Sequence, residues 1–185
     1  DSMQVSEGYD VSYLRSHPSH TFLGLYGLLQ KLRSQGKCPF KRDTLIYTNS
    51  MNPGQIYVNS TRLLHFDGSK IEDLSLGEEE GLRQIMEIFH FLKEQIPGFE
   101  NCSLASINPM IGVRETRRFS GVKRLTKDDV LSGAIPSDTI ALGSYKIDIH
   151  SASDSSTDLI SLDGPYGIPL GCVISSEIEG LLLNG

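Results

Sequence analysis

The sequence predicts an α+β fold: a mostly antiparallel β-sheet with one long amphipathic helix and two or three shorter helices packed on it. Three observations carry this expectation. Two β-rich runs flank the turn signal Asn52-Pro53-Gly54. One long stretch keeps helical periodicity from near Ser75 to Pro97-Gly98. Several strand-like segments then follow without the strand–helix alternation of a parallel sheet.

Taken in order, residues 1–18 are polar and read as loop. A helix is expected over about 20–34, where Phe22, Leu25, Tyr26, Leu29 and Leu32 fall at helical spacing. Ser19 or Thr21 would cap it and Gly36 would end it, with Gly24 and Gly27 as weak points. Residues 43–49 and 55–66 form the hairpin. Ser75 and Glu78 form a capping box for the long helix, whose core stripe is Leu82, Ile85, Met86, Phe89, Leu92 and Ile96. His90 falls off that stripe and is expected at the surface.

"LTKDDVLSG" (125–133) predicts a two-turn helix with Thr126 as cap, Asp129 completing a capping box and Gly133 as stop. Residues 139–150 read as one strand interrupted at Gly143, and 151–158 as a polar loop. Residues 166–175 and 180–185 are β-like, with Pro169 at an edge or bulge. Residues 1–36 are read as loop and helix of the same domain as 37–185.

The totals exclude several classes. At 185 residues with 38% hydrophobic and 22% charged, the chain can build a real core without staples. A net charge of -6 and no tryptophan argue against a nucleic-acid partner. Cys38, Cys102 and Cys172 make no CxxC pair, so neither a disulfide framework nor a zinc site is expected, which fits a reducing, cytoplasmic location. No apolar run reaches the ~20 residues of a membrane span, so no membrane partner is expected. No metal site is expected either: His17 and His20 flank Pro18 in a loop. A dinucleotide fingerprint, a Walker loop and a nucleophile elbow are all missing from the sequence.

Two stretches carry chemistry. In "GVRETRRFSG" (112–121), an extended backbone would put Arg114, Thr116 and Arg118 on one face, and Glu115 and Arg117 on the other as a structural pair. Arg114 and Arg118 would then stand about 13–14 Å apart, too far to clamp one carboxylate together. Their planar donor forks suit carboxylates or phosphates, though a solvated face with ion pairs needs no ligand. In "YKIDIH" (145–150), Lys146, Asp148 and His150 share a face; an Asp/His pair there can support proton transfer, but by sequence alone a structural histidine is the favoured reading.

The segments "PGQIYVNSTRL" (53–63), "EEEGLRQIMEIFHFLKEQIPGFE" (78–100), "IGVRETRRFSGVKRLTKDDV" (111–130), "YKIDIH" (145–150) and "YGIPLGCVIS" (166–175) occur in one order. That series, over about residues 37–185, resembles the FAD-dependent oxidoreductase family. The resemblance implies that 37–185 is a substrate or cap domain, truncated at its C-terminus, and that FAD is the cofactor of a longer polypeptide. The partners it implies are the missing FAD-binding domain of that polypeptide and a small-molecule substrate; a homo-oligomer is left open. It also implies roles: His150 with Asp148 as acid/base pair, Arg114 and Arg118 contacting substrate carboxylate or reduced flavin, and Tyr166 lining the pocket. The chain by itself is expected to be inactive and to bind FAD poorly. The alternatives from other classes are a stand-alone α+β module for an anionic ligand and a purely structural scaffold.

Overall fold

The computed structural model describes residues 21–40, 42–114, 116–150 and 157–184; the expected loop over 1–18, the candidate cap Ser19, His17 and His20 lie outside them. The chain divides between Val113 and Arg114 into two units. Together they are α+β; the described residues form three small antiparallel sheets of three, two and two strands in place of one larger sheet.

The first unit opens on a strand where a helix was expected. Strand β1 (Thr21–Gly24) precedes helix α1 (Tyr26–Ser34). Cross-strand pairing outweighs the helical spacing. Thr21 and Thr48 share a hydroxyl hydrogen bond of 2.8 Å, and Phe22 stacks on Tyr47 with ring centroids 5.2 Å apart. Leu25 joins the two elements in the left-handed region, with φ 69°, and α1 has no side-chain cap, so Thr21 does not serve as one. Strand β2 (Leu45–Asn49) pairs with β1 and with β3 (Ile56–Val58), and the expected turn joins the hairpin: the Gln55 amide donates to the Asn52 carbonyl at 3.1 Å.

The second hairpin strand stops at Val58 rather than Phe66. Beyond it the buried Ser60 side chain replaces the ladder. Its Oγ accepts from the Ile46 amide at 2.8 Å and donates to the Ile46 carbonyl at 3.2 Å. Arg42 donates to the Ser60 and Thr61 carbonyls; burial first, then the nearby Arg62, pushes its guanidinium pKa down.

Helix α2 (Ile71–Gln95) begins one turn before the expected capping box. Glu72 and Asp73 suit its first turn, and Asp73 also accepts from the Asp67 amide at 2.7 Å. Glu78 makes no box with Ser75; its carboxylate accepts the Ile111 amide at 2.8 Å. The core face also differs from the expected stripe. Leu82 and Met86 are exposed, while Gly77, Gly81, Ile88, Phe91 and Leu92 are buried. The two glycines explain the shift, because they form a notch that receives Leu63 and Ile111. Below it, Ile88, Phe91, Leu92 and Ile96 pack with Leu29 and Leu32 of α1 and Leu45 of β2. Phe40 meets Phe91 edge-on at 5.0 Å. His90 is exposed, as expected.

In the second unit, helix α3 (Lys127–Ser132) matches its local signals. Thr126 and Asp129 form the reciprocal capping box, and Gly133 ends the helix with φ 64°. The expected single strand 139–150 breaks into β4 (Thr139–Gly143) and β5 (Ile147–His150). Each finds a different partner. β5 pairs with β6 (Thr157–Ile160), a strand where the composition predicts loop to residue 158, and β4 pairs with β7 (Tyr166–Pro169). Residues 151–156 of that expected loop lie outside the described residues. Pro169 stands opposite Thr139, beside a bulge, and the chain then turns through a 3-10 segment, Leu170–Cys172. The later β-like runs contribute single bridges, Gly121 to Ser175 and Ile174 to Leu182. Among the described residues, the large buried apolar side chains all belong to the first unit; the second buries Gly167, Pro169 and Gly171. No helix of the described residues is long and apolar enough to cross a membrane.

Two predictions follow from these contacts. A Cβ at Gly81 would meet Ile111 Cγ2 at an ordinary 3.5 Å, so Gly81→Ala should stabilise the helix by about 0.5–1 kcal/mol. A Cβ at Gly77 would meet Ile111 Cδ1 at 3.0 Å, so Gly77→Val should overpack the notch and cost about 1–3 kcal/mol. Urea midpoints should therefore move in opposite directions; shifts of the same sign would refute the notch.

The second concerns acid. Asp129 is held below the usual carboxylate range by the Thr126 hydroxyl and then its amide, and Asp138 by its hydrogen bond from Lys123. Carboxyls depressed in the folded state stabilise it above their unfolded pKa, near ~4, and lose that contribution as pH falls through the folded value. The advantage of the native chain over Asp129→Asn/Asp138→Asn should be full at pH 7 and vanish well below pH ~4 in denaturation curves. A constant difference across that range would remove these carboxylates from the account.

Candidate functional site

Residues 114–124 carry Arg114, Arg117, Arg118, Lys123 and Arg124 against the single acid Glu115, in a chain of net charge -6. Glu115 lies outside the described residues, and with it the expected Glu115–Arg117 pair. The expected strand does not form: residues 112–114 and 116–120 join no ladder, and only Gly121 bridges to another segment. The alternation that set Arg114 and Arg118 on one face at a fixed spacing therefore has no ladder to hold it.

What fixes the segment is its C-terminal end. There the Ser120 carbonyl accepts from the Ser176 amide at 2.9 Å and from its hydroxyl at 2.8 Å. The Val122 amide donates to Ile174 and the Lys123 amide to Gly171, each at 3.0 Å. Gly121 lies at the centre of this contact. A Cβ there would stand 2.8 Å from the Lys123 carbonyl oxygen and 3.0 and 3.1 Å from those of Gly171 and Cys172. Lys123 also reaches Asp138 at 2.7 Å, tying the segment to the approach of β4. By contrast, a Cβ at Gly112 would meet nothing within 4 Å.

Arg114 and Asp148 are brought together: Nη2 stands 3.9 Å from Oδ2, with the arginine side chain 67% exposed and the aspartate 22%. Asp148 lies within β5 opposite Leu159, so its backbone is held by the ladder. His150 closes β5 opposite Thr157; its side chain lies outside what the structure describes. Arg117 and Arg118 are exposed. Tyr166 belongs to the other ribbon, half-buried opposite Gly143, and its ring occupies the space a Cβ at 143 would fill. The expected strand interruption at Gly143 is thus a bed for this ring.

Sequence reasoning missed Gly121 and the Lys123–Asp138 bridge. A glycine in an otherwise β-like stretch signals close backbone approach, which could have found the first. The second joins residues 15 apart with no local pattern. A separate groove of about 420 Å³ in the first unit is lined by Lys37, Pro39, Glu87, His90, Phe91 and Glu94. Among the described residues, no group of three or more His, Cys, Asp or Glu could hold a metal ion.

The fit to FAD can be tested on the strands. A dinucleotide pyrophosphate is held where a glycine-rich turn leads from a parallel strand into a helix N-terminus. Every strand pair among the described residues is antiparallel; the passage from β1 into α1 runs through Leu25, and that from β3 into α2 through residues 59–70, whose single glycine is Gly68. The described residues do not supply that cradle.

No curated protein and no solved structure matches the chain. A family model described as FAD dependent oxidoreductase matches residues 15–185. The match spans both units and includes the arginine-rich segment, β5 and β7, and by it the chain belongs to the FAD-dependent oxidoreductase family.

Proposed function

We propose that this chain is the substrate-binding, cap-like part of an FAD-dependent oxidoreductase acting on a small organic substrate with a carboxylate. One observation carries the reading: an exposed arginine of a strongly basic segment stands beside a strand carboxylate, inside the family match. FAD belongs to a nucleotide-binding part of the same polypeptide, where it supplies the redox chemistry; that part and the substrate are the partners. Self-association and a cytoplasmic location are compatible with this reading.

Within it, this chain binds and orients. Arg114 and Arg118 offer planar pairs of N–H donors to a carboxylate, a geometry that an ammonium cannot reproduce. His150 is the proposed acid/base residue, with Asp148 two positions before it on β5. Tyr166 presents an aromatic wall held by its bed on Gly143.

The test uses the 185-residue chain and the flavin-loaded polypeptide that contains it. Purified alone, the chain should carry no stoichiometric yellow flavin; if it does, the division of labour proposed here is wrong. In the loaded enzyme, Arg114→Ala should lower kcat/KM by about 10- to 100-fold, the loss of a charge-assisted hydrogen bond, with Arg114→Lys between it and the native protein. Unchanged turnover per folded molecule would instead assign the segment to scaffolding.

A further inference from the structure

We propose that Asp148 is an internal competitor for the Arg114 guanidinium, so that a ligand carboxylate binds by displacing it. The inference rests on the anion-binding role given to Arg114 above and adds what that cation does before the anion arrives.

The geometry is that of a loose pair. At 3.9 Å, Nη2 and Oδ2 are beyond the ~3.2 Å reach of an N–H···O bond, so the attraction is Coulombic and leaves the guanidinium's donor fork uncommitted to Asp148. The partners are unequally placed. Asp148 is largely buried, on a strand held by its ladder, whereas Arg114 is two-thirds exposed on a stretch that joins no ladder. An ion pair at 3.9 Å with one partner two-thirds exposed is weak and easily given up. A carboxylate from solution can accept two short parallel bonds from the same fork, which Asp148 at this distance does not. The two anions also repel each other, so a bound ligand must overcome the Asp148 charge. That cost falls on any anion, but the bidentate gain is available only to oxyanions such as carboxylates and phosphates. Asp148 therefore weakens the binding of every anion, while the preference for carboxylates over spherical anions such as chloride comes from the Arg114 fork itself.

The test is a titration of the 185-residue chain with succinate at fixed ionic strength, following the arginine Nε–H resonances by NMR. Binding should saturate in the native chain and be lost in Arg114→Ala. Asp148→Asn should bind about 2- to 5-fold more tightly, the factor given by removing up to ~1 kcal/mol of competing attraction. Asp148→Glu, which keeps the charge, should stay near the native value. Asp163→Asn, at an exposed acid elsewhere in the unit, should change nothing. In the native chain itself, succinate should move the Asp148 amide together with the Arg114 signal, a readout that needs no variant to fold. Loss in Arg114→Ala with no gain in Asp148→Asn overturns this inference alone. Equal gains in Asp148→Asn and Asp163→Asn overturn it as an effect of net charge. Absence of saturable binding to the native chain overturns both this inference and the arginine reading beneath it.

Discussion

The second unit depends on one close backbone approach, at Gly121. A domain normally holds its elements by burying apolar side chains, but the buried positions described here are two glycines and a proline. Order comes instead from hydrogen bonds that only a very near approach permits. The Val122 and Lys123 amides reach Ile174 and Gly171, and Ser176 reaches Ser120, because no Cβ at 121 holds the two segments apart. Gly171 makes the same allowance from the other side, where a Cβ would meet Lys123 Cγ at 2.7 Å. Through this contact the end of the arginine-rich segment is tied to the 3-10 turn that follows β7. The functional candidates thus hang from backbone geometry rather than from a core.

The same contrast explains which parts of the fold were legible in the sequence. Helix α3 was readable to its caps because Thr126, Asp129 and Gly133 act on their own neighbours. The hairpin turn was readable for the same reason. The start of the chain was not. Phe22 has a helical partner by spacing, but its stacking on Tyr47 involves a residue 25 positions away in a strand of its own. The face of α2 failed similarly. Periodicity marks apolar side chains, whereas the packed face here contains two residues with none, and a glycine notch leaves no mark on an apolar stripe.

For the candidate site, residue chemistry was legible and geometry was not. Arg114, Asp148 and Tyr166 were selected by type and by motif order, and the structure gives two of them a mutual contact. Alternation, however, assumes a ladder, and residues 112–114 and 116–120 have none. A run of charges with few apolar residues offers no face to bury, so nothing compels it into a sheet. Arg114 meets Asp148, a residue of the same unit far along the chain, and no local pattern encodes that contact.

Family and fold together divide the labour. The family match implies FAD, yet antiparallel ribbons cannot offer a pyrophosphate the helix N-terminus that follows a parallel strand. What these ribbons do offer is side chains presented at fixed backbone positions beside an exposed basic segment. Such a surface can discriminate substrates by charge and shape without holding the cofactor at all. On the proposed reading, exchange of Asp148 for a ligand at Arg114 would set affinity, because every anion loses the same attraction, while the ranking among anions would follow the bonds each accepts from the guanidinium.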